Sequence, residues 1–130
     1  MKNEYGVKML VLMPQFMVIC PISQGPLTID ARIEFQPGEE VPEFMEFNNW
    51  IRHELNNRKF TVEGVAGKLA AHLQTLKPKG IRIQLKTSNN NTYFPVEVVL
   101  ERGEGESEPE LDFNEGAPSE KKGKGKKKGY

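Results

Sequence analysis

The run Thr28-Ile29-Asp30-Ala31-Arg32-Ile33-Glu34-Phe35 alternates apolar and polar side chains without a break. Successive side chains of a strand point to opposite faces, so Ile29, Ala31, Ile33 and Phe35 share one face and Asp30, Arg32 and Glu34 the other. The pattern predicts a strand with one buried face. Gln36-Pro37-Gly38 ends it. Upstream, Val7 to Ile19 is rich in valine, methionine and leucine and reads as a strand bent at Pro14. Between the two, Pro21 to Pro26 holds Ser23, Gln24 and Gly25 and reads as a turn.

Downstream of Gly38 the period changes. Pro42 suits the first turn of a helix, and Glu43 and Glu46 suit the positive end of its dipole. Phe44, Phe47, Ile51 and Leu55 form its apolar stripe, and Asn56-Asn57 stops it. Thr61 caps a second helix, along which Val62, Val65, Ala66, Leu69, Leu73 and Leu76 recur at helical spacing. Pro78 and Gly80 end it. Ile81, Ile83 and Leu85 then alternate with Arg82, Gln84 and Lys86. Asn89-Asn90-Asn91 turns the chain into a last strand, Tyr93 to Leu100, with Pro95 marking an edge or a bulge. Strand-strand-helix-helix-strand-strand is an α+β order, predicting an antiparallel sheet with helices on one face.

The chain has 130 residues and a formal net charge of zero, but the charge is segregated. Residues 101–120 carry eight acidic side chains and one basic one, and residues 121–130 carry six lysines. Residues 1–102 read as the domain; 103–130 read as a disordered tail, acidic and then lysine-rich. The lysines could attract nucleic acid without regard to sequence, or serve only solubility. One cysteine excludes an intramolecular disulfide and a structural zinc site of cysteine-rich type. His53 and His72 sit on different helices and begin no metal site, so no metal is expected and both read as surface or packing residues. A free thiol fits a reducing compartment. The apolar stretch from Met9 to Ile19 is too short to span a bilayer and lacks a signal-peptide pattern. The expectation is a cytoplasmic protein without a membrane partner.

Three features together resemble one family: Cys20-Pro21-Ile22-Ser23 after the first strand, Glu34-Phe35-Gln36-Pro37-Gly38-Glu39 closing the second, and Phe60-Thr61-Val62-Glu63 opening the second helix. They resemble the tunnelling-fold (T-fold) superfamily and, within it, the 7-cyano-7-deazaguanine reductase family, QueF, over about residues 10–101. The resemblance implies homo-oligomeric rings whose sheets form a barrel, with ligand sites between subunits. It implies that Glu63 holds the amino-imino edge of a deazaguanine or pterin, that Ser23 belongs to the same substrate-binding site, and that Cys20 is the nucleophile. The reductase branch carries a lysine-rich signature and uses NADPH; here the matching stretch is Glu43-Phe44-Met45-Glu46-Phe47-Asn48, without lysine. Met45-Glu46-Phe47-Asn48-Asn49 is more similar to the QueF-like amidinotransferase (archaeosine synthase) branch, which needs no cofactor and takes ammonia as co-substrate.

Two positions depart from the family pattern. Leu27 stands where the family has an aspartate proton donor, and Thr61 or Val62 stands in place of a histidine beside the ligand glutamate. Asp30 is a candidate assisting residue, although three strand positions put it on the opposite face from Leu27. The resemblance implies a thiolate adding to the nitrile of 7-cyano-7-deazaguanine in tRNA or modified DNA. Two alternatives stand beside it: another deazaguanine side-chain reaction, including NADPH-dependent reduction, and ligand binding without turnover. Without the resemblance, Cys20 reads as a buried core thiol, Glu63 as a complement to the helix dipole and Asp30 as a solvated strand residue.

Overall fold

In the computed structural model, residues 1–89 and 95–104 are described. The elements run β1 (Met9–Ile19), β2 (Pro26–Gln36), α1 (Phe44–Glu54), α2 (Val62–Gln74), β3 (Gly80–Asn89) and β4 (Glu97–Gly103). The four strands form one sheet in the order β1-β2-β3-β4, and every neighbouring pair is antiparallel. This is the α+β order expected. Of the predicted last strand, Glu97 to Leu100 lies in β4, which continues to Gly103; Tyr93 and Phe94 lie outside the described residues, as does the tail from residue 105 on.

β2 forms the spine because its alternation is complete. Ile29 and Ile33 are fully buried and Ala31 and Phe35 nearly so, against Ile81, Ile83 and Leu85 of β3 and the apolar faces of both helices. Arg32 and Glu34 point away from the helices and pair with each other at 3.1 Å. Arg82 reaches Glu101 from the same face at 2.9 Å. That face is therefore charged, whereas the other closes the core.

α2 is apolar over most of its circumference: Val62, Val65, Ala66, Leu69, Ala70 and Leu73 are all buried. Thr61 caps it, its hydroxyl oxygen accepting from the Gly64 N–H at 3.0 Å, which satisfies a donor that the first turn would otherwise leave open. α1 starts at Phe44, two residues later than Pro42 would place it. Glu43 is the cap, its carboxylate accepting from Met45 and Glu46 N–H groups at 3.2 and 3.0 Å. Its stripe also begins later: Phe44 is 68% exposed, and Phe47 and Leu55 are the buried members.

β1 departs from simple alternation. Met9, Val11 and Met13 pack toward the core, and then Phe16 and Val18 do. The register with β2 shifts between Met13 and Phe16, where Pro14 and Gln15 bulge. Gln15 adopts φ +58°, a left-handed conformation seldom taken by residues other than glycine. The outward-facing Leu10 and Leu12 are 51% and 60% exposed, so this edge strand is apolar on both faces.

Candidate active site

Cys20 follows the last residue of β1 and opens the turn into β2. Its N–H donates to the Gly25 carbonyl at 2.9 Å, and its own carbonyl accepts from Gln24 N–H at 2.9 Å. Gln24 sits at φ +65° and its side-chain amide donates to the Pro21 carbonyl at 2.7 Å. These bonds fold Pro21-Ile22-Ser23 back over the cysteine. The Ser23 N–H then points at the Cys20 sulfur at 3.5 Å, and the Ser23 hydroxyl oxygen accepts from Gly25 N–H at 3.3 Å.

Opposing effects act on the thiol. Burial is the largest single one and raises its pKa; hydrogen bonds from the Ser23 N–H, the Ser23 hydroxyl and the Ile22 N–H lower it. Together the donors win, and the half-buried thiol lies below its ordinary value. A cysteine so placed holds more thiolate at neutral pH, and the thiolate is the nucleophile.

Glu63 lies in the first turn of α2 and is exposed. The backbone joins its segment to the cysteine's. Ile19 N–H donates to the Arg58 carbonyl at 2.8 Å, Phe60 N–H donates to the Ile19 carbonyl at 3.1 Å, and Asn57 N–H donates to Met17 at 2.8 Å. Ile19 and Lys59 form a parallel bridge. The end of β1 and the approach to α2 are thus tied together within one chain, with Cys20 following Ile19 on one side of the tie and Glu63 three residues after Phe60 on the other. Nothing in the sequence signals this tie except Asn57, read only as a helix stop; it takes φ +62°, which lets the chain turn back alongside β1.

The departures from the family pattern are structural. Leu27 pairs with Val18 across β1 and β2 and packs against the core. Thr61 is the cap, and Val62 is only 8% exposed among core side chains. Asp30 makes no contact with the thiol within the chain. Its carboxylate accepts from the Gln15 N–H at 2.8 Å, bracing the β1 bulge rather than facing the thiol. Asp30 is four residues along β2 from Pro26, the partner of Ile19, about 13 Å at strand rise. A charged residue in an alternating strand reads as solvated, and only the fold reveals its acceptor role.

His72 is a packing residue. Its ring stacks on Trp50 at 3.9 Å between centroids, and on Phe47 at 5.8 Å, joining α2 to α1. Burial first, and then Lys68, hold its pKa below the ordinary value, with Glu54 opposing. Because the folded state resists protonation more than the unfolded chain does, the unfolded chain binds the proton first. Stability is therefore complete above the unfolded-state value of about 6.5 and falls as pH drops below it. In urea unfolding from about pH 7.5 to about pH 5.5, His72→Gln is expected to lose less stability than the parent chain. An equal slope for both would contradict the assignment. His53 is exposed on α1 and contributes its carbonyl, which accepts from the Arg58 guanidinium at 3.0 Å.

Among the described residues, grooves open on the charged face of the sheet. One of about 720 Å³ is lined by Lys8, Arg32, Glu34, Arg82 and Glu101, among others, at the end opposite the Cys20 turn. One of about 380 Å³ includes Leu12, Pro14, Asp30 and Lys86. Neither is lined by Cys20 or Glu63. Among the described residues no group of three or more histidine, cysteine or acidic side chains could hold a metal ion, and no helix is long and apolar enough to cross a membrane.

No family model and no curated protein matches the sequence. Solved structures do match. An archaeosine synthase, QueF-Like, in its apo form aligns with TM-score 0.62 at 22% identity, over 75% of this chain and 92% of that one. A putative dihydroneopterin aldolase (FolB) from Vibrio cholerae O1 biovar El Tor str. N16961 aligns with TM-score 0.54 at 17% identity, over 73% and 97%. The likeness establishes the fold expected from the sequence, the T-fold.

Proposed function

We propose that the chain processes the nitrile of 7-cyano-7-deazaguanine, with Cys20 as nucleophile and Glu63 as the anchor for the base. The observation that carries this reading is the Cys20 turn, where Ser23 and Ile22 turn hydrogen-bond donors on the sulfur and hold the thiol below its ordinary value. It stands beside the segment that leads into Glu63. The similarity to an archaeosine synthase supports the same reading.

In the proposed reaction the thiolate adds to the nitrile carbon. A C–S bond forms, the triple bond becomes a double bond, and the nitrogen takes a proton, giving a thioimidate. With Leu27 in place of an acid, that proton comes from water. Ammonia then attacks the same carbon and the thiolate leaves, giving an amidine. The carrier is a base within tRNA or modified DNA, with the lysines of residues 121–130 supplying attraction to phosphates. The working form is a homo-oligomeric ring in the cytoplasm. The apolar outer face of β1, with Leu10 and Leu12 more than half exposed, favours a second copy beside that edge.

Product analysis of the full chain with the nitrile base tests the reaction type. Gain of one ammonia, dependent on added ammonium and on Cys20, supports amidine formation. Nicotinamide oxidation that requires the nitrile would move the chain to the reductase reading. One observation favours binding without turnover: Leu27 packs against the core where the acid would stand. On that reading, binding would be lost in Glu63→Ala and unchanged in Cys20→Ala.

A further inference from the structure

We propose that Asp30 is a positioning residue for Cys20, acting through the bulge at Pro14-Gln15. The functional meaning of this rests on Cys20 being the nucleophile; the positioning itself does not. Up to Met13, β1 pairs residue for residue with β2: Val11 with Ile33, Leu12 with Arg32, Met13 with Ala31. Pairing resumes at Phe16 with Ile29, so Pro14 and Gln15 together stand opposite Asp30. One extra residue in a strand exchanges the faces of everything after it. With the bulge, Phe16 and Val18 face the core and Val18 is fully buried. Without it, Gln15, Met17 and Ile19 would face inward, and Ile19 would replace Cys20 at the turn.

The bulge needs support because its geometry is unfavourable. Gln15 sits at φ +58°, and Pro14 has no N–H to offer the ladder. The Gln15 N–H finds its acceptor in Asp30 Oδ1 at 2.8 Å. Asp30 is itself fixed, paired with Lys86 on an inner strand. Its carboxylate is thus a post that holds the register of β1 one short strand segment before the cysteine. Its distance from the turn, about 13 Å, excludes contact with the thiol.

The test uses the full chain with Asp30→Asn, Asp30→Ala and the double variant Asp30→Ala/Gln15→Gly. The readout is the rate of Cys20 alkylation by iodoacetamide as a function of pH, with circular dichroism as a check on folding. Asparagine keeps the acceptor oxygen, so Asp30→Asn should reproduce the parent profile. Asp30→Ala should slow alkylation at neutral pH about fivefold or more and move the profile up toward an ordinary thiol. Glycine takes φ +58° readily, so the double variant should recover the parent profile, including where Asp30→Ala alone fails to fold. A folded Asp30→Ala with the parent profile would overturn the proposal. So would Asp30→Asn as impaired as alanine, because the charge or proton would then matter rather than the acceptor. So would a double variant that recovers nothing. Alkylation is indifferent to the nitrile: this pattern without any base adduct would sink the proposed function and leave the positioning role intact.

Discussion

Replacing Ile33 with alanine is expected to cost about 4 kcal/mol of stability. Ile33 is fully buried and sits in the middle of β2, opposite Val11 on one side and Ile83 on the other. Removing three carbons there forfeits their transfer free energy and leaves a cavity that three strands and α2 cannot collapse around. A domain near a hundred residues has only about 5–15 kcal/mol in total, so the loss takes a large share. The neighbouring residue gives the control. Arg32 points to the charged face, its side chain 49% exposed and paired with Glu34. Such a pair contributes about 0–1 kcal/mol, so Arg32→Ala should move the denaturant midpoint little. Comparable losses in the two variants would contradict the alternation on which the fold rests.

The second large effect concerns Glu63. If its carboxylate accepts hydrogen bonds from the edge of a bound base, its removal leaves donors unpaired in the site, at about 2–5 kcal/mol. Glu63→Ala should then weaken binding of 7-cyano-7-deazaguanine by about two orders of magnitude, measured calorimetrically. Stability should change by less than about 1 kcal/mol, because Glu63 is exposed and only its interaction with the helix dipole is lost. Binding unchanged in this variant would remove Glu63 from the site.

How far the sequence carries differs from element to element. β2 and α2 are legible because their burial is repetitive: Ile29 to Phe35 at period two and Val62 to Leu73 at helical spacing are the buried sets found. The Thr61 cap is legible because its chemistry is local. β1 is legible as a strand but not in its parity. Pro14 marks a bend, yet the exchange of faces after it depends on a carboxylate fifteen residues away. Cys20 at the end of β1 could be placed, whereas the donors around its sulfur come from a turn whose closure depends on Gln24 at φ +65°. Asp30 could not be assigned, because alternation reports which face a residue takes and not which group it meets. The His72–Trp50 stack joins two helices and leaves no trace in the periodicity of either.

Intact mass tests most directly the proposed role of Cys20 as a nucleophile toward a nitrile. The full chain is mixed with excess 7-cyano-7-deazaguanine, without ammonia or nicotinamide, and its mass is read beside that of Cys20→Ala. The parent chain is expected to gain the mass of one base, mapped to the peptide containing Cys20 and missing from the alanine variant. An unchanged parent mass at saturating base, or the same gain in Cys20→Ala, would contradict that role.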